Sequence, residues 1–299
     1  MMNIDEIKII VPWGHIAAKV WGNLNDPIVL VFHGIMDNAG SFDRLIPHLP
    51  KSFCYVCIDL PGHGRSSHFP PFFPAYTLNN IIVYKMIMQH FKREKYIVIG
   101  HSYGGQIGFL FAQLYPEYVE KLIMFDTIHI FPVHTGQFKQ SLRDKFDFCI
   151  SLDEKTKTNN RPTYTYAEAL QKLQDQRFNG YISPEAAETL LQRGIASVGD
   201  GKYVFTVDLR MKQFINPLHD FRYILETLKK FPVTCPVLMV LGRDSELQQM
   251  YMKPITKFLK KYKNIMIKNV DGHHDVHNNE PEIVAPYVTK FLLMKKAKL

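Results

Sequence analysis

Gly100-His101-Ser102-Tyr103-Gly104 is a G-x-S-x-G string that directly follows the apolar run Tyr96-Ile99 and opens a helical pattern. In that strand–turn–helix setting a serine sits on a tight, strained turn with its hydroxyl raised above a sheet edge. Such a serine can attack an acyl carbonyl, but a hydroxyl is a poor nucleophile without a base. His101 adjoins Ser102, yet its side chain should point away from the tip of the turn, to pack or to hydrogen-bond. A late loop, Val270-Asp-Gly-His-His-Asp-Val-His277, supplies three further histidines. Read as a metal site, His273, His274, Asp275 and His277 fit neither H-E-x-x-H nor a Cys/His zinc pattern. Asp126 and Asp244 each follow an apolar run, and either could hold an imidazole in one tautomer and stabilise its charged form. Each could instead cap a helix or anchor a loop.

Negative charge developing on the carbonyl oxygen calls for backbone N–H donors, and losing one costs about 10²–10³ in turnover. The Tyr103 N–H, next after the serine, is one candidate. The loop His33-Gly-Ile-Met-Asp-Asn38 offers the Ile35 N–H as the second, with His33 shaping the loop. Asp59-Leu-Pro-Gly-His-Gly-Arg-Ser-Ser67 lacks the G-K-[ST] ending of a phosphate loop. It reads as structural, with Asp59 and Arg65 bracing loops near the site.

These residues need elements to position them. Ile28-Phe32, Tyr96-Ile99, Lys121-Phe125 and Pro236-Leu241 are continuous apolar runs, as expected of parallel strands covered on both faces. Helical patterns over Leu78–Phe91 and Gly105–Tyr115 lie between them, and another follows Pro281. Alternation of this kind predicts an α/β fold with a parallel sheet. Ile7-Val11 and His15-Trp21 predict an antiparallel hairpin at one edge. From 130 to 230 the rhythm breaks into a charged, helix-prone stretch (Tyr166–Arg177, Ser183–Arg193) with few strand-like runs. The division is therefore a core of 1–129 and 231–299 with a cap inserted at 130–230.

The 299 residues are 46% hydrophobic and 21% charged, without repeats, which suits one large domain or a core with an insertion. The net charge of +8 is densest from Lys253 to Lys268 but accompanies no nucleic-acid motif. A solvated helix face is the reading, with weak attraction to anionic lipid as the alternative. The start, with Asp5 and Glu6, lacks a signal-peptide pattern, and no apolar run approaches a membrane span. A soluble protein made in the cytosol is expected. The four cysteines (Cys54, Cys57, Cys149, Cys235) do not read as a disulfide framework; Cys54 and Cys57 lie three apart in a strand-like run, facing opposite ways, and read as buried thiols.

H-G-I-M-D (33–37), D-L-P-G-H-G-R-S (59–66), G-H-S-Y-G-G (100–105) and the late histidine together resemble the α/β-hydrolase superfamily over nearly the whole chain. More narrowly, Phe125-Asp126-Thr127, Leu190-Leu-Gln-Arg-Gly194 and Gly272-His-His-Asp-Val-His277 resemble the serine hydrolase-like protein family of animals. That family has Asn where this chain has His273. The resemblance implies a mostly parallel central sheet flanked by helices, with an inserted helical cap, and a triad in the order serine, acid, histidine. His274, seven residues before Pro281, then falls at the base position, leaving His273 and His277 as supporting or surface residues. Many such hydrolases place the acid three residues beyond a glycine after the later strand. Here that slot is Ser245, with Asp244 one position early. Others use an acid after the strand that follows the serine's helix, which is Asp126. We take Asp126 first and Asp244 as the alternative.

The activity implied is that of a serine hydrolase, a carboxylesterase acting on a small or acyl-chain ester through an acyl-enzyme, with no cofactor and no metal. Dehalogenases and epoxide hydrolases of this fold would carry Asp at the position of Ser102. The other reading is a non-catalytic binding or scaffold protein that keeps the fold. Phe131, Phe138, Phe146, Phe148 and Tyr164 either cover an apolar acyl pocket or form the cap's own core. The chain ends Ala297-Lys298-Leu299, close to the S-K-L peroxisomal address. That ending predicts recognition by the peroxisomal import receptor and residence in the peroxisome, with the cytoplasm as the alternative.

Overall fold

The computed structural model describes residues 2–71, 74–133, 135–157, 161–177, 180–247 and 251–295. Strands β1 (Ile4–Val11) and β2 (Gly14–Trp21) form the expected hairpin. β3 (Ile28–Phe32), β4 (Cys54–Ile58), β5 (Tyr96–His101), β6 (Val119–Phe125), β9 (Val237–Gly242) and β10 (Ile265–Val270) complete an eight-stranded sheet in the order β1-β2-β4-β3-β5-β6-β9-β10. From β4 to β10 every neighbouring pair is parallel, while β2 meets β4 antiparallel.

Every residue of β3, β4, β5 and β9 is buried, which is why these strands read as unbroken apolar runs. Cys54, Val56 and Ile58 enter the apolar cluster on one face of the sheet; Tyr55 and Cys57 enter the cluster on the other. The two cysteines are free and buried, and burial pushes the Cys54 thiol up to about 11 and raises that of Cys57 well above its ordinary value. Lys121 is a charge inside a buried strand. Its ammonium donates to the carbonyls of Phe291, Leu292 and Met294, at 3.1, 2.7 and 2.7 Å, at the C-terminal end of the last helix (Pro281–Leu293). Those carbonyls have no partners within the helix, so the cation satisfies them and complements the helix dipole.

Between β6 and β9 the chain adds no strand to the large sheet among the described residues. It forms helices Phe138–Lys157, Tyr166–Asp175 and Pro184–Gly194, then a hairpin of β7 (Ile195–Gly199) with β8 (Lys202–Phe205). The hairpin adds a small two-stranded sheet to the helical cap that was expected, where few strand-like runs could be read. Its turn, Asp200-Gly201, has both residues at positive φ (50° and 66°), the geometry that Asp-Gly favours in a tight hairpin. The helix Phe221–Lys230 packs Ile224 and Leu228 into the sheet's own core, so the chain rejoins the sheet layer before residue 231. The inserted layer sits close on the core: a Cβ at Gly40 would lie 2.1 Å from the Thr189 carbonyl oxygen. Phe138 and Phe146 are exposed (51% and 40%), so neither is interior to the inserted layer. Phe131 is half-buried against Tyr251, with ring centroids 4.2 Å apart, and Tyr164 packs on Phe205.

Candidate active site

Parallel strands deliver their C-terminal ends to one edge of a sheet, where ligands of open α/β sheets bind. His101 on β5 pairs with Phe125 on β6, so Ser102 and Asp126 are the next residues out on neighbouring strands. Both turn sharply, at φ 46° and 44°, in left-handed geometry that non-glycine residues adopt at a cost of about 1–3 kcal/mol. The helix Ser102–Leu114 starts at the serine itself and lies close over the sheet. A Cβ on Gly104 would come within 2.5 Å of the Phe32 carbonyl oxygen, so that position admits only glycine.

Asp126 is completely buried, and its carboxylate is held from three sides. Oδ1 accepts the Gly242 N–H at 2.9 Å; Oδ2 accepts the Ser245 hydroxyl at 2.5 Å and His274 Nδ1 at 2.6 Å. A carboxylate can only accept, so Nδ1 carries a proton, and in the neutral ring the lone pair is then on Nε2. Ser245 fills the slot where the later acid was looked for, and it serves as a donor to the earlier one. Asp244 is exposed and does not reach His274. Its carboxylate accepts the Gly272 N–H at 3.1 Å, which braces the histidine loop. Ser102 and His274 are 7% and 4% exposed, and no hydrogen bond joins them. Bonds of this kind are often long before substrate arrives.

Tyr103 N–H lies in the first helical turn, where backbone donors have no partner inside the helix. The 33–38 loop that carries Ile35 is shaped by two histidines. His33 Nε2 accepts the Leu60 N–H (2.9 Å) while Nδ1 faces the Gly34 carbonyl (2.7 Å); His63 Nε2 accepts the Met36 N–H (3.2 Å) while Nδ1 faces the Pro61 carbonyl (3.0 Å). Each ring must be neutral to accept. Burial lowers His33 to about 4 and His63 to about 3, from 6.5. Below pH 6.5 the unfolded chain therefore takes up protons that these folded sites refuse, so stability falls as pH drops toward 4. Each histidine should cost roughly 2 kcal/mol between pH 7 and pH 5. Urea midpoints should be lower at pH 5; an unchanged midpoint would count against these neutral, accepting histidines.

Asp59 accepts the Ala39 and Arg65 N–H groups, both at 2.8 Å, and pairs with Arg193 Nε at 2.8 Å. That is the bracing role expected of Asp59; the Arg65 side chain reaches Glu6 instead (3.1 Å). His101 Nε2 bonds the His274 carbonyl oxygen at 3.1 Å, away from the hydroxyl of Ser102. His273 is half-buried and approaches the Asp244 carbonyl; His277 is buried and bonds Ser41 Oγ at 2.8 Å. The four late residues considered together as a metal set therefore point to different partners. Among the described residues, His101, Asp275 and His277 do bring ligand atoms within 4.8 Å of one another, but the Asp275 carboxylate already holds the Arg177 guanidinium. Arg177 carries no signal in the sequence, and Asp275 enters there only as a possible metal ligand. Ala297, Lys298 and Leu299 lie outside the described residues.

A family model described as alpha/beta hydrolase fold matches residues 27–261. Serine hydrolase-like protein 2 of Homo sapiens is 34% identical over 97% of this chain and 94% of its own length. Serine hydrolase-like protein of Mus musculus is 33% identical over 96% and 95%. More distantly, epoxide hydrolase 4 of Mus musculus is 25% identical over 91% of this chain and 74% of its own. Among solved structures, a hypothetical protein of Pseudomonas aeruginosa superposes with a TM-score of 0.81 at 26% identity, covering 96% of this chain and 98% of that one.

Proposed function

Because the chain belongs to the α/β-hydrolase fold family, with serine hydrolase-like proteins among its relatives, we propose that it is a serine hydrolase cleaving a carboxylic ester. The observation that carries the reading is the 2.6 Å contact of His274 Nδ1 with buried Asp126, one strand over from a serine in left-handed geometry. In this mechanism Ser102 Oγ attacks the acyl carbonyl and His274 Nε2 takes its proton. The Ile35 and Tyr103 N–H groups hold the oxyanion. The protonated histidine, paired with Asp126, then gives the proton to the departing alcohol. Water, activated by the same nitrogen, attacks the acyl-enzyme and frees Ser102.

An ester suits this arrangement better than an amide because an ester carbonyl lacks the amide's resonance stabilisation and an alkoxide is a far weaker base than an amide anion. A hydroxyl at position 102 does not supply the carboxylate nucleophile with which epoxide and haloalkane hydrolases of this fold work. Hydrolysis of p-nitrophenyl esters of increasing chain length tests the proposal. Turnover that disappears in Ser102→Ala supports it; no turnover of any ester by folded wild type contradicts it. The second reading, a binding protein that keeps the fold without turnover, draws on the missing Ser102–His274 hydrogen bond and predicts that second outcome.

For Ala297-Lys298-Leu299 the proposal is peroxisomal import through the receptor that reads S-K-L-type endings. A fluorescent protein fused so that this tail stays free should become punctate in cells. A distribution identical to that of a fusion lacking the last three residues would refute it.

A further inference from the structure

Two loops of the site, the one that carries Ile35 and the one that carries His274, are joined by a single side chain from the inserted layer. Arg177 lies just beyond the helix Tyr166–Asp175 and is 10% exposed. Its Nη1 and Nη2 donate to the two oxygens of Asp37 at 2.5 and 3.0 Å. Its Nε donates to Asp275 Oδ2 at 2.7 Å, and Nη2 also reaches Asp275 Oδ1. Both carboxylates are 1% exposed. Asp37 is two residues from Ile35, and its own N–H closes a turn onto the Gly34 carbonyl at 3.2 Å. Asp275 follows His274 directly.

We propose that Arg177 is a positioning residue, holding the 33–38 loop and the 272–277 loop at a fixed separation so that oxyanion donor and base are in register only when this part of the inserted layer is docked. The inference rests on the hydrolase reading for its catalytic consequence. Only a planar guanidinium can meet two carboxylates two-pronged at once; an ammonium is a point charge without that fork. Without a cation between them, Asp37 and Asp275 would be two buried negative charges beside His101, whose Nδ1 lies 3.7 Å from Asp37 and whose Nε2 lies 3.9 Å from Asp275. Repulsion would then spread the loops.

Keeping the inserted layer on the core does not depend on Arg177. Asn38 Nδ2 donates to the Leu190 carbonyl at 2.8 Å, Ser183 N–H to Asn279 Oδ1 at 2.9 Å, and Arg193 pairs with Asp59 and Glu6. A variant at 177 should therefore fold, with the change confined to the two loops.

The test uses the full chain with Arg177→Met and Arg177→Lys, read by ester turnover, by the rate at which a fluorophosphonate labels Ser102, and by hydrogen exchange. Arg177→Met should lower kcat and the labelling rate by about 10²-fold, the scale expected when catalytic groups move by 1 Å, with KM little changed. Arg177→Lys should fall between it and wild type. Exchange should quicken in peptides covering 33–38 and 272–277 and stay unchanged in the central strands. A folded Arg177→Met that labels at the wild-type rate, or whose two loops exchange as in wild type, overturns the proposal. Should Arg177→Met not fold, Arg177→Lys decides by the same rates. If wild-type Ser102 takes no label at all, the hydrolase reading fails by itself, and loop exchange still decides whether Arg177 holds the two segments.

Discussion

Asp126→Asn should reduce ester turnover by about 10⁴-fold, because an amide in place of the carboxylate leaves the imidazole in the wrong tautomer. The carboxamide can still accept from one side, but its NH₂ faces a nitrogen that now has to carry no proton. Nδ1 then becomes the acceptor, and Nε2 holds the hydrogen just where a lone pair is needed to take the serine proton. The Gly242 N–H and Ser245 hydroxyl, which also point at this carboxylate, keep the side chain in place, so the loss should appear in kcat with the fold intact. Asp244→Asn is the contrasting variant. Asp244 is exposed and braces the Gly272 N–H, a bond that an asparagine oxygen can still accept. Its turnover should stay within about threefold of wild type, the range of a surface change away from the reacting groups. The reverse ranking of the two variants would move the acid to Asp244.

Ser102→Ala and His274→Ala should each abolish turnover by a similar factor, about 10⁶ when serine and base act as one unit. The double variant should be no worse than either alone, since removing one partner already disables the other. Independent losses that multiply in the double variant would mean the two residues do not act on the same proton. Circular dichroism should match wild type in all three. The Ser102 hydroxyl makes no hydrogen bond among the described residues, and His274→Ala gives up the bond to Asp126, which keeps two other donors, and a ring contact with His101.

The strands of this fold were legible because burial on both faces forces a continuous apolar run, and four of them could be placed to within a few residues. The turn at Ser102 was legible for a local reason: strand, tight turn and helix leave a string of five residues that few other structures need. The carboxylate that pairs with His274 was not. Asp126 and Asp244 both end apolar runs, and what separates them is the register of β6 against β9, which brings Gly242 and Ser245 to Asp126 from 116 and 119 residues away. No local pattern encodes that pairing. The same holds for Arg177, whose partners lie 140 and 98 residues distant in sequence. In a helix-rich stretch it reads as one more surface charge. The hairpin at 195–205 is a different case. Asp200-Gly201 was a usable turn signal, masked by flanking segments too short and too exposed to show a strand's alternation.

The most direct test of the central claim, an activated serine served by His274, is intact-mass analysis after a fluorophosphonate is added to wild type, Ser102→Ala and His274→Ala. The reagent forms one oxygen–phosphorus bond at the attacking hydroxyl and releases fluoride, so it reports nucleophile and base without requiring the natural ester. The account predicts a single adduct on wild type, none on Ser102→Ala and none on His274→Ala over the same interval. An adduct that persists in Ser102→Ala, or folded wild type that stays unlabelled, would contradict it.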